Sequence, residues 1–136
     1  MSQGFTLSLA PTLWVAAGGA IGAAARFQVG LITARLTGPA EQFPWATLTV
    51  NLVGSLVMGA LVGWFAKSGA GSENMRLFLT VGLMGGFTTF SAFSAEMVTM
   101  VYRGQIGLAG GYVAASVIAG MAAFAIGLVA AQSVGS

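Results

Sequence analysis

The chain has 136 residues, of which 57% are hydrophobic and only 6% charged, and its mean hydropathy is +0.89. A water-soluble domain of this size needs far more charge to cover its surface, so lipid is the solvent this sequence is written for. There is no cysteine and no histidine, which removes disulfides, thiolate nucleophiles, imidazole bases and the usual zinc or iron ligands, and with them most enzyme chemistry. The net charge of +2 is too small and too scattered to suit nucleic acid.

Each membrane-crossing helix takes roughly 20 mainly apolar residues, so the length leaves room for about four spans and excludes a separate extramembrane domain. The first residues lack the basic start and small-residue cleavage site of a signal peptide, and the apolar stretch from Leu13 is expected to persist as a span. Four windows stand out: Leu13 to Leu36, Ala46 to Ala66, Leu77 to Val101, and Gln105 to Ala131. All four are predicted to be helices of one all-α membrane domain covering 1–136. Gly38-Pro39 and Pro44, Ser68 to Asn74, and Arg103-Gly104 supply turn chemistry between them. Trp14, Trp45 and Trp64 fall at window ends, where amphipathic rings prefer the headgroup level. Continuous apolar windows with glycines at helical spacing do not match the ten-residue alternation of a membrane barrel.

Gly18 and Gly22, Gly59 and Gly63, Gly82 and Gly86, and Gly107 and Gly111 are each four apart, a spacing that lets helix backbones approach closely. The charges bias the orientation very little. With four spans, Lys67 and Arg76 fall on one side and Arg35 and Arg103 on the other, so the positive-inside rule gives no clear direction. A subunit that inserts both ways can form an antiparallel dimer about a twofold axis in the membrane plane. Four spans enclose little by themselves, and a dimer is expected.

Polar residues at membrane depth are costly, which makes them the informative ones. Arg26 lies near the middle of the first window, where insertion scales place about 2.5 to 3.5 kcal/mol against it. It either lends positive potential to a vestibule or orders a subunit interface, or it snorkels to a headgroup. In the second window Thr47, Asn51, Ser55 and Gly59 recur every four residues on one face. Asn51 offers two N–H donors, to a passing ligand or to a neighbouring helix.

The third window holds Gly85-Gly86-Phe87-Thr88-Thr89-Phe90-Ser91-Ala92-Phe93-Ser94. A double glycine followed by two β-branched threonines makes a poor helix interior, and a mid-membrane break between two half-helices is predicted. The first half, ending near Gly85, would present carbonyls that suit a cation; the second, starting near Thr89, would present N–H groups that suit an anion. Paired carbonyls from two subunits on a twofold axis would cage one small cation. Phe90 and Phe93 are three apart and share a face. Their ring edges are positive and attract an anion weakly, although most phenylalanines in helices simply pack. Glu96, one turn on, is the only acidic residue inside a window, and a solvated or paired carboxylate is the expectation there. In the fourth window Tyr112, Ser116 and Gly120 form another stripe, of two hydroxyls and a gap. Neutral donors with so few acidic groups favour an anion path over a cation path.

Three segments resemble, in order, the signatures of the Fluc (also called CrcB) fluoride channels: Gly18-Gly19-Ala20-Ile21-Gly22-Ala23-Ala24-Ala25-Arg26-Phe27, Thr47-Leu48-Thr49-Val50-Asn51-Leu52-Val53-Gly54-Ser55, and the Gly85 to Ser94 run. The resemblance implies an antiparallel, dual-topology homodimer in the inner membrane of a microbe, with two pores that export toxic fluoride passively. It assigns Phe90 and Phe93 to the pore wall, Asn51 to the amide donor beside them, and Tyr112 and Ser116 to a hydroxyl track leading the ion out. Thr89 and Ser91 of the same motif are grouped with that pore. It further implies that the Gly85 and Thr88 carbonyls hold a structural sodium ion on the axis. Phe27 stands where a tyrosine is usual, and Gly120 where some relatives carry a hydroxyl. The rival reading is a small proton-coupled multidrug-type exporter, which needs a titratable group in its central cavity; Glu96 alone is available.

Overall fold

A computed structural model describes residues 8–39, 43–69 and 71–134; residues 1–7, 40–42, Ala70 within the second predicted turn, and the last two lie outside the described residues. Every regular element among the described residues is helical: α1 (Leu9–Thr37), α2 (Trp45–Ser68), α3 (Glu73–Arg76), a π-helical stretch Leu77–Met84, α4 (Gly85–Phe87), α5 (Phe90–Tyr102) and α6 (Ile106–Ser133). Four stretches are long and apolar enough to cross a membrane, namely Leu9–Thr37, Trp45–Ser68, Glu73–Tyr102 and Ile106–Ser133. α1 thus begins at Leu9, ahead of the predicted Leu13, because hydropathy fades before helical geometry does.

Turn chemistry ends the spans. Gly38 adopts φ 88° while its N–H donates to the Ala34 carbonyl, and Gly69, at φ 59°, closes α2 in the left-handed conformation. Gly104 at φ 79° turns the chain from α5 toward α6. A side chain at such angles is strained, so glycine fits there at low cost.

The helices form two close pairs. α2 packs along α6, and α1 packs along the π-helical stretch and α4. Glycines make both approaches possible. A Cβ on Gly82 would lie 2.7 Å from the Val15 carbonyl oxygen, and one on Gly86 would lie 2.5 Å from that of Gly19. Gly18 and Gly22 meet the Leu83 backbone from the other side. In the second pair Gly59 faces the Phe124 backbone, Gly63 faces Leu128, and Gly127 faces Leu56 and Ala60. Lipid gives no hydrophobic drive to helix association, so dispersion between such closely opposed backbones carries much of the stability. Gly107 and Gly111 differ from the other pairs, with open space where a Cβ would stand. Lys67 fastens the far end of the α2–α6 pair by donating from Nζ to the Gln132 and Val134 carbonyls, which the end of α6 leaves unsatisfied.

Much of the chain's surface is apolar, as a lipid-facing surface must be; Phe27, Ile118 and Met121 are among the exposed residues. The buried cluster lies toward one end, where Leu48, Met100, Ala109 and Tyr112 meet and Phe43, Leu52, Phe93 and Met97 pack around them.

Candidate functional site

The third span changes character twice. Its first turn is capped by Ser72, whose hydroxyl accepts from the Met75 N–H at 3.2 Å. The widened π-helical turns of Leu77–Met84 were not foreseen from sequence. Helical geometry then persists to Phe87, two residues beyond the expected end near Gly85, before the backbone becomes extended at Thr88 (φ −88°, ψ 162°) and Thr89 (φ −152°, ψ 118°). Two successive β-branched residues favour that geometry. The Thr89 hydroxyl caps the next helix by accepting from the Ala92 N–H at 3.1 Å.

Buried backbone groups must find partners, and here they find them outside the helix. The Thr89 N–H donates to Asn51 Oδ1 at 2.9 Å, and Asn51 Nδ2 donates to the Thr89 carbonyl at 3.1 Å. Arg26 Nε donates to the Gly86 carbonyl at 3.1 Å. These bonds divert donors. In an unbroken helix the Thr89 N–H would serve the Gly85 carbonyl and the Ala92 N–H would serve that of Thr88. Both N–H groups are spent on side chains instead. The Thr88 hydroxyl turns back to the Met84 carbonyl at 2.9 Å.

Asn51, Thr88, Thr89, Gly85, Phe90, Phe93 and Ser116 line one cleft of about 440 Å³, joined by Ser55, Thr80 and apolar residues. Six of the residues singled out from sequence therefore meet there with Asn51. Ser91 does not line it; it is exposed, with Oγ 3.4 Å from Thr89 Oγ1. Arg26 lies in a neighbouring cleft of about 270 Å³ with Phe27, Thr47 and Thr89, so Thr89 borders both. Phe90 is 80% exposed and therefore does not serve to fill this chain's own interior. Its ring centroid is 5.9 Å from that of Phe93, which lies 5.1 Å from the Tyr112 ring.

Tyr112 is fully buried, outside the cleft, and its hydroxyl donates to Glu96 Oε2 at 2.7 Å. Thr47 donates to Oε1 of the same carboxylate at 2.6 Å. Glu96 is thus a paired carboxylate that gathers hydroxyls from two other spans. Sequence spacing did not reveal this junction, because its members lie 49 and 16 positions apart. The α2 stripe consequently fans out: Thr47 reaches Glu96, Asn51 the third span, Ser55 the clefts, and Gly59 α6. Ser116 Oγ is buried without a hydrogen-bond partner among the described residues. It borders both the main cleft and a second one of about 510 Å³ that contains Ser55 and Gly120. A Cβ on Gly120 would stand 3.8 Å from Ser55 Oγ, so α2 brings a hydroxyl to the place where α6 has none.

Four apolar spans around clefts lined by amide, hydroxyl, peptide and ring-edge groups define a multi-pass membrane protein built to handle a small solute. Residues 13–128 match the family model described as CrcB-like protein, Camphor Resistance (CrcB). The chain is 54% identical over 117 residues to the fluoride-specific ion channel FluC of Novosphingobium aromaticivorans, covering 86% of this chain and 92% of that protein. It is 51% identical over 115 residues to the FluC of Sphingopyxis alaskensis (85% and 90% covered) and 49% identical over 114 residues to that of Agrobacterium fabrum (84% and 90%). The chain belongs to the CrcB family.

Proposed function

We infer that this chain is a fluoride-specific ion channel and not an enzyme, and that two copies form an antiparallel dual-topology dimer in the inner membrane. The observation that carries the reading is identity of about half over most of the chain to relatives named for that activity. It is favoured over a proton-coupled exporter, whose required carboxylate would be Glu96, here bonded to Thr47 and Tyr112.

The chemistry of the cleft supports the reading. Stripping water from a small ion costs on the order of 20 kcal/mol in the Born limit, so a conducting path must replace hydration stepwise with groups that let go again. Asn51 commits one amide N–H to Thr89 and has a second to offer; Ser116 has a hydroxyl with no partner among the described residues; Phe90 and Phe93 offer ring edges. Phe90, so exposed on one chain, would line a passage shared with a second. The break at Thr88 and Thr89 would lie at mid-membrane, with Arg26 holding its first half in place. Fluoride would move down its own gradient, out of the cytoplasm.

A structural sodium ion on the dimer axis is part of this proposal. The fit is good at the level of donors: hard cations take oxygen ligands, and the Gly85 and Thr88 carbonyls are those whose helical donors are diverted. Two subunits would supply both pairs. Such an ion would neutralise carbonyl dipoles and fasten the subunits together.

The deciding experiment is fluoride efflux from liposomes containing the purified dimer, with a potassium shunt and a chloride-loaded control. Release of fluoride with retention of chloride is expected. A folded dimer that releases no fluoride sinks the reading.

A further inference from the structure

The rings around Glu96 continue past Tyr112. Phe43 stands against Tyr112 edge-to-face, with centroids 5.4 Å apart and planes at 83°, and Trp45 lies 4.5 Å beyond Phe43. The sequence of ring contacts is therefore Phe90, Phe93, Tyr112, Phe43, Trp45, unbroken from the exposed Phe90 to Trp45, itself 48% exposed at the start of α2. Tyr112 has no exposed surface at all, so nothing reaches its hydroxyl unless a neighbour yields. Leu48, Leu52, Phe93, Met97, Met100 and Ala109, packed in that cluster, are carried on helices. Phe43 alone among the described members precedes its helix, joined to α2 through Pro44 and by its carbonyl, which accepts from the Trp45 N–H at 2.9 Å.

We propose that Phe43 is a further pore residue: the ring that closes one end of each subunit's anion path over Tyr112, and that offers its own edge to the ion as it passes. This rests on the channel reading. The chemistry is that of Phe90 and Phe93, a weakly positive ring edge that attracts an anion without trapping it. Its location differs, because an edge-to-face pair uses one ring's edge on the other's face, and an arriving anion competes for that edge. A phenyl ring on a loop can turn for the ion where one wedged between helices cannot.

The test compares fluoride efflux, fluoride-to-chloride permeability ratio and thermal unfolding of the reconstituted dimer for wild type, Phe43→Leu and Phe43→Tyr. Leucine keeps most of the bulk and removes the ring; tyrosine keeps the ring. Loss of one ring-edge contact should slow efflux roughly fivefold in the leucine variant, with the unfolding midpoint little changed and the tyrosine variant near wild type. Wild-type efflux and selectivity in the leucine variant overturn the proposal. So does a loss in both variants that only tracks a lowered unfolding midpoint, since that marks Phe43 as core alone. Absence of efflux from wild-type dimer removes the channel reading itself, and this inference with it.

Discussion

The Asn51 carboxamide and the Thr89 peptide unit grip one another by two hydrogen bonds, 2.9 Å into Oδ1 and 3.1 Å from Nδ2. One side chain of α2 thereby satisfies both polar groups of an extended residue that no helix serves. Asn51→Ala removes both bonds and is expected to lower dimer stability by about 1–2 kcal/mol and to slow fluoride efflux. Thermal unfolding and liposome flux measured on the same preparation check this; an unchanged midpoint would show that water or another group replaces the amide.

Ser116 separates fold from function. Its hydroxyl is buried and unpartnered among the described residues, so Ser116→Ala should leave stability unchanged or raise it by up to about 1 kcal/mol, while fluoride efflux falls. Wild-type flux in a stable alanine variant removes Ser116 from the path.

Gly82 and Gly107 predict opposite results for one substitution. A methyl on Gly82 meets the Val15 carbonyl and the Gly18–Gly19 backbone, so Gly82→Ala should cost about 1–3 kcal/mol by forcing α1 away. A methyl on Gly107 meets nothing among the described residues, and Gly107→Ala should be neutral to the subunit's own fold. Equal losses would place Gly107 against a partner.

For Gly120, ordinary contact with Ser55 is all that a new Cβ would make. Gly120→Ser should therefore fold within about 0.5 kcal/mol of wild type and keep fluoride flux. A collapse of either measure would mean that Ser55 and the added hydroxyl exclude one another.

Glu96 decides the mode of transport. In a channel, fluoride flow follows its own gradient and ignores an imposed proton gradient, in wild type and in Glu96→Gln alike. Uphill fluoride movement driven by protons, abolished by Glu96→Gln, would restore the exporter reading.

The spans and the break at Thr88 and Thr89 were legible because they rest on local chemistry: apolar length, turn glycines, and β-branched residues after a double glycine. The partners were not. Asn51 and Thr89 lie 38 positions apart, and Arg26 and Gly86 lie 60 apart, so which donor meets which carbonyl depends on how spans pack. Glu96 read as either solvated or paired, and its hydroxyl partners, which decide between the two, appear only once three spans converge. Gly127 escaped notice because no glycine stands four residues from it in α6, where Ala123 and Ala131 take those places.

The pairing of α2 with α6 also has a temporal side. The surface formed by Gly59 and Gly63 has its partner in the last helix, and so does Lys67, whose Nζ donates to two carbonyls at the end of that helix. Insertion in chain order brings α2 into the bilayer before α6, whereas α1 and the third span are both present ahead of it. The first pair can therefore close before the last helix is inserted, and the second waits for it. Until then α2 carries an uncovered glycine face in lipid.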